Sequence, residues 1–212
     1  MILMMRIESL KTTPDAAGRY RVQLSDGSVM RLYRQTVEDF GLYSGLELTD
    51  EEFSRLQTAA GEMSAKMRAV RIVSATNVSK SDLEQRLVQK GEDPEQAKAA
   101  VAWMAELNLL DDRKTAEQVV SSCISKGYGL QRAKQALYEK RIPKSYWDEV
   151  LADYPDQLEK ISAFLRSRLD ADSDQKEIRR AIDALIRRGH SYGSIRRALD
   201  ALSFDTDELP EE

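Results

Sequence analysis

The sequence has one cysteine, Cys123, and one histidine, His190, among 212 residues. A single thiol excludes an intramolecular disulfide and any multi-cysteine metal site. Cys123 falls in the apolar register of a helix, where a buried thiol is the expected state. A single imidazole excludes a histidine-based metal cluster and leaves a Ser-His dyad resting on one residue; His190 is expected to be structural or solvated. No window approaches the ~18 consecutive apolar residues of a membrane span. The opening "MILMMRIESLK" is too short an apolar run for a signal peptide and has no small-residue cleavage site, so a cytoplasmic protein is expected. No Gly-rich phosphate loop follows a strand, which removes support for nucleotide binding. No cofactor, metal or catalytic constellation is expected, and the chain does not read as an enzyme.

A strong positive charge is also missing. The formal net charge is −4, whereas general DNA binders draw affinity from phosphate neutralisation and are usually basic. A local basic surface is compatible with that sum. What the chain does have is charge of both signs, 32% of its residues, beside an ordinary 42% of hydrophobic ones. That balance suits a helix-rich protein.

The first fifty residues differ from the rest. In "GRYRVQLSDGSVMRLYR" two alternating segments flank Asp26-Gly27, a hairpin signal. A bulged turn pairing Leu24 with Met30 and Val22 with Leu32 is expected. "LMMRIESL" reads as a third strand. "TDEEFSRLQ" then opens a helix with Thr49 or Asp50 as cap and acid in the first turn.

From Thr49 onward the periodicity is helical, and it repeats. "LEQRLVQKG", "AKQALYEKR" and "AIDALIRRG" align on Gly91, Arg141 and Gly189. Leu87, Leu137 and Leu185 then coincide, as do Lys90, Lys140 and Arg188. Ala97, Trp147 and Ile195 follow six residues after the anchor. Val101, Leu151 and Leu199 follow after ten, and Met104, Tyr154 and Leu202 after thirteen, a spacing that suits one helix face. Asp93, Pro143 and Ser191 are suitable starters for that following helix. Each repeat reads as three helices, and units of ~50 residues bury too little surface to be comfortable alone. The expected fold class is therefore mainly α: tandem three-helix repeats in an elongated array, with a small β-hairpin or three-stranded element at the N-terminus. The expected divisions are 1–48 for the β element, 49–108, 109–154 and 155–204 for the repeats, and 205–212 for an acidic tail. Lacking a heptad seam, the protein is expected to be a monomeric rod.

Two segments, "LNLLDDRKTAEQVV" and "KGYGLQRAKQALYEKRIP", resemble the RecX family of bacterial recombination regulators. They look like the family's Leu-Asp-Asp-x-x-x-Ala helix start and its Gly-x-x-Arg-(Ile)-x-x-x-Leu-x-x-Lys-Gly-Ile segment. "FGLYSGLELTDEEFSRL" is similar to the N-terminal extension of some members. The sequence departs from the pattern at Arg141, where glycine is usual, and at Ala133, where a β-branched residue is common; the first is expected to reshape the turn before Pro143. The resemblance implies a partner, the RecA recombinase, alone and as a filament on single-stranded DNA, and a regulatory role in homologous recombination, DNA repair and the SOS response. It also implies inhibition of RecA ATP hydrolysis, filament growth and strand exchange.

The residues themselves nominate a basic surface. Lys176, Arg180 and Arg187 stand at i, i+4 and i+11, opposite Ile178, Ile182 and Leu185. Arg188 follows, and Arg196 and Arg197 flank the stripe of Ile195 and Leu199. Lys134, Lys140 and Arg141 of the middle repeat could continue this surface. A solvated face is the plain alternative. The functional reading is contact with acidic RecA surface or, weakly, with DNA phosphates inside the filament, because the planar guanidinium fork pairs with carboxylate and phosphate alike. The competing reading is a helix-turn-helix DNA-binding protein with 176–202 as its reading unit, on the strength of the short "RRGHS" connection and the Arg-rich helix after it.

Overall fold

In the computed structural model, residues 4–170 and 172–202 are described. The acidic tail expected at 205–212 lies outside them. The chain divides into two compact units, residues 1–110 and 111–212. Among the described residues it is mostly helical, with one small antiparallel sheet.

The first unit opens with β1 (Met4–Leu10), β2 (Arg19–Leu24) and β3 (Val29–Tyr33), then a short helix α1 (Arg34–Asp39) and β4 (Glu47–Thr49). The sheet order is β3-β2-β1-β4, so a fourth strand joins the three expected ones. The hairpin register also differs from expectation: Val22 faces Met30 and Tyr20 faces Leu32. A three-residue turn explains it. The Leu24 N–H reaches the Ser28 carbonyl at 3.0 Å, the Asp26 carboxylate accepts from the Ser28 N–H at 2.8 Å, and Gly27 takes φ 84°. This is a type I turn closed by a left-handed residue. Relative to the expected register the strands slide by two residues, which leaves the same side chains facing inward. Ile7, Val22, Leu24, Leu32 and Leu48 form that inner face with Leu56 of the first long helix.

That helix, α2 (Asp50–Ala75), starts in a capping box: the Thr49 side chain accepts from the Glu52 N–H while the Glu52 carboxylate accepts from the Thr49 N–H. It packs with α3 (Lys80–Gln89) and α4 (Pro94–Glu106) around Leu83, Leu87, Ala97, Ala100 and Met104.

The second unit holds α5 (Asp112–Ser125), α6 (Leu130–Glu139), a 3-10 turn (Lys144–Tyr146) leading into α7 (Trp147–Leu151), then α8 (Leu158–Arg166), α9 (Gln175–Arg187) and α10 (Tyr192–Ala201). Two clusters form its interior. Ala116, Val120, Leu137 and Ile142 make one; Ile161, Leu165, Ile178, Ile182, Leu185, Ile195 and Leu199 belong to the other.

The three aligned anchors share a backbone state. Gly91, Arg141 and Gly189 take φ of 89°, 54° and 85°. In each case the next residue's N–H returns to the aligned leucine carbonyl, Glu92 to Leu87, Ile142 to Leu137 and His190 to Leu185, at 3.0–3.2 Å. This is the Schellman ending of a helix. Arg141 therefore does not reshape the turn before Pro143, contrary to expectation: it adopts the left-handed conformation that glycine would. A side chain in that region is penalised by about 1–2 kcal/mol, and the added freedom of glycine in the unfolded chain returns part of this. Arg141→Gly is expected to stabilise the protein by about 0.5–1 kcal/mol, read as a raised urea midpoint at unchanged slope.

Candidate partner-binding surface

The second unit has a cross-link at and just beyond the C-terminal end of α5, where carbonyls lack helical partners of their own. Later side chains supply them. Lys160 Nζ donates to the Ser125 carbonyl at 3.0 Å and the Tyr154 hydroxyl donates to the Tyr128 carbonyl at 2.6 Å. Burial pushes the Tyr154 phenol up to about 12, so it remains a donor. His190 Nε2 lies 3.1 Å from the Gly127 carbonyl. His190 is buried, which makes it a structural residue.

Burial, aided by the nearby Arg188 charge, pushes the His190 imidazole below its usual value, against the opposing pull of the Gly127 carbonyl and Asp156. The unfolded chain then binds a proton more readily than the folded one. His190's contribution is fully present above the unfolded value of about 6.5 and is lost as pH falls through the lower folded value. Urea titrations at a pH near 7.5 and near 5 should show a decline that is smaller in His190→Gln. An equal decline in both proteins would assign the pH dependence to other groups.

A second tie is made by main chain alone. The Gly129 N–H donates to the Arg188 carbonyl at 2.9 Å, and the Gln131 N–H to the Gly189 carbonyl at 3.2 Å. A Cβ on Gly129 would collide with the Gly189 carbonyl, and one on Gly189 would collide with the Arg132 backbone. Only glycine permits this crossing of the α6 start with the α9 end.

Around the crossing, Tyr128, Arg132, Phe164, Arg168, Ala184, Arg187 and Arg188 line an open depression of ≈ 420 Å³. Local geometry delivers each group. Ala184, Arg187 and Arg188 stand at i, i+3 and i+4 on the last turn of α9, hence on one face. Phe164 and Arg168 are four residues apart at the end of α8. Arg168 and Arg188 lie over the Phe164 ring, 5.0 and 5.1 Å from its centroid, and Arg188 is 5.9 Å from that of Tyr128. Such cation–π contacts contribute ~0.5–1 kcal/mol each at exposed sites.

The charge here is largely uncompensated. Arg132 pairs with Glu139 at 2.9 Å. Among the described residues, Arg168, Arg187 and Arg188 form no ion pair. Like charges gathered on one ring repel one another, weakly in water. An arriving anionic group relieves that repulsion.

Of the residues nominated from sequence, Arg187 and Arg188 line the depression. Lys176 and Arg180 are exposed on α9, and Arg196 is half-buried. Arg197 is held by Asp156 at 2.8 Å. Lys134 and Lys140 are half-buried on or beside α6, and Arg141 is exposed at the helix ending; none of these lines the depression. Sequence reading missed Arg132, Phe164 and Arg168. Arg132 had a signal, as the arginine of the Gly-x-x-Arg pattern at Gly129. Phe164 and Arg168 had only their i, i+4 spacing.

The fold and this surface define a helical-repeat protein with a basic face on its second unit and, among the described residues, no group of three or more metal-ligating side chains. No helix among the described residues is long and apolar enough to cross a membrane. Residues 111–151 match the family model described as "RecX, second three-helix domain". The chain is 30% identical over 152 residues to "Regulatory protein RecX" of Vibrio parahaemolyticus, covering 70% of this chain and 96% of that one. It is 24% identical to the Clostridioides difficile protein of the same name over 99% of this chain and 100% of the other. A crystal structure of regulatory protein RecX superposes with a TM-score of 0.64 at 20% identity, over 92% of this chain and 99% of that one. The RecX structure from Lactobacillus salivarius gives 0.60 at 20% identity, over 68% and 97%. This chain belongs to the RecX family of regulatory proteins.

Proposed function

We propose that this protein is a non-catalytic regulator that binds the RecA recombinase, alone and as a filament on single-stranded DNA, and inhibits its ATP hydrolysis, filament growth and strand exchange. It acts as a cytoplasmic monomer in recombination, repair and the SOS response. Family membership supports the target. The observation that carries the contact surface is the depression that gathers Arg168, Arg187 and Arg188 with Phe164, three guanidinium groups that form no ion pair among the described residues. An acidic surface on the recombinase would supply the missing carboxylates, and partly dehydrated charge-assisted hydrogen bonds are worth more than those on a wet rim. The helix-turn-helix reading is less well supported, because Arg197 of its second helix is already engaged by Asp156.

The test is the rate of ATP hydrolysis by RecA on single-stranded DNA as this protein is added, together with co-sedimentation with the filament. A fall in rate that tracks filament-bound protein supports the reading. No effect at saturating concentration overturns it.

A further inference from the structure

The first unit carries a second concentration of positive charge, on the face of the sheet turned away from its core. Arg21 of β2 directly faces Arg31 of β3. On the other side of β2, Leu10 faces Val22, and the Lys11 N–H continues that ladder to the Arg21 carbonyl at 3.0 Å. Lys11, Arg21 and Arg31 therefore form a row straight across three neighbouring strands. With strands ~4.8 Å apart, the row spans about 10 Å. All three residues are exposed.

Directly opposed like charges destabilise a sheet. The one carboxylate in the surrounding depression of ≈ 310 Å³ is Asp15. Its Oδ2 accepts from the Arg19 guanidinium at 2.9 Å, and its Oδ1 accepts the Ala17 and Arg19 N–H groups. Among the described residues Lys11, Arg21 and Arg31 form no ion pair. In a chain of net charge −4, such a row is a local exception.

The chemistry of the face selects among polyanions. The depression is lined by four cationic side chains with Thr13, Pro14 and Asp15, and by no aromatic ring. Protein–protein interfaces centre on desolvated apolar or aromatic anchors and are depleted of charge there. Nucleic-acid interfaces are more polar and more positive, and about half or more of their hydrogen bonds go to phosphate and sugar. With no ring for stacking in this depression and long cationic side chains as its donors, the face suits gripping backbone rather than reading bases.

We propose that the outer face of the N-terminal sheet binds the phosphodiester backbone of a nucleic acid through Lys11, Arg21 and Arg31, without sequence preference. This goes beyond the recombinase reading, concerns the other unit, and is tested with no recombinase present.

The experiment measures fluorescence anisotropy of a labelled 30-nucleotide single strand, and separately of a 30-base-pair duplex, titrated with the full chain over a range of salt. The variants are Arg21→Gln with Arg31→Gln, and Arg21→Lys with Arg31→Lys. Removing two phosphate contacts lowers the slope of log K against log salt by about 1.4 on a single strand or about 1.8 on a duplex. It also weakens binding on the order of tenfold to a hundredfold at low salt. The lysine pair keeps the charge and should keep the slope. The glutamine pair relieves like-charge repulsion, so its urea midpoint should be unchanged or higher, which separates lost binding from lost folding. The two arms show whether single strand or duplex is preferred; loss of slope in either supports the proposal. Unchanged affinity and slope in the glutamine pair overturn it, as does a wild-type chain that binds neither oligonucleotide. Polyglutamate binding as tightly as DNA also overturns it, since the face would then serve an acidic polypeptide.

Discussion

Replacing Leu137 by alanine is expected to lower the stability of the protein by about 2–5 kcal/mol, the usual loss for a fully buried leucine. Leu137 has no exposed surface. It packs with Ala116, Val120 and Ile142, with Val119, Trp147 and Leu151 at the margin. Two features favour the upper part of the range. The fully buried cluster is small, so one side chain is a large share of it. Leu137 also carries the carbonyl that accepts the Ile142 N–H in the helix ending, so a collapse around the cavity would disturb that turn. Tyr138 is the control: it is the next residue along and 66% exposed, and Tyr138→Ala should change stability by no more than about 0.5 kcal/mol. Urea titration of both variants decides the matter. A Leu137→Ala loss of only a few tenths would show that this helix face is not core.

The second large effect concerns inhibition of RecA. Arg187→Glu combined with Arg188→Glu is expected to raise the concentration needed to halve DNA-dependent ATP hydrolysis by about tenfold or more. A charge-assisted hydrogen bond at a dehydrated interface is worth ~1.5–3 kcal/mol, and each 1.4 kcal/mol is tenfold in affinity. Reversal adds repulsion to the loss. Lys176→Glu with Arg180→Glu changes the net charge equally on the same helix outside the depression. It should cost much less, because wet surface pairs contribute ~0–1 kcal/mol. Raising salt narrows the gap between the two variants only partly, since bulk screening acts mainly on exposed charges. Circular dichroism must show that both fold, because Arg188 also rests on Phe164 and Tyr128. Equal inhibition by wild type and the Arg187/Arg188 variant would reduce the depression to solvated surface.

Much of this architecture is written in local pattern. The aligned Gly91, Arg141 and Gly189 share one left-handed turn, and Leu87, Leu137 and Leu185 are all buried behind it. Thr49 caps α2 because its hydroxyl and the Glu52 carboxylate reciprocate across one turn. What escaped is equally specific. β4 is three residues long, too short to show alternation, and exists because β1 offers it an edge. The hairpin slid by two residues because both registers keep Val22, Leu24 and Leu32 inward, so hydrophobicity alone does not separate them; the Asp26–Ser28 hydrogen bond and Gly27 do. The arginine depression was half legible. Arg187 and Arg188 announce themselves on one helix, but Arg132 and Arg168 reach them only through tertiary packing of α6 and α8 against α9. No local rule carries that information.

The glycine crossing between Arg132 and Gly189 has a consequence for how such a surface can change. The two strokes of main chain are fastened by peptide groups, Gly129 to Arg188 and Gln131 to Gly189, and those bonds are indifferent to which side chains stand beside them. What the seam demands is an omission, two missing methyl groups, and little else. Arg132, Arg187 and Arg188 hang from a hinge pin whose own chemistry they do not supply. Their lettering can be rewritten one position at a time, toward more charge, less, or a different shape, while the frame that gathers them stays in register. The fixed part of the surface is thus the blank paper, and the message that a partner reads is printed on it separately.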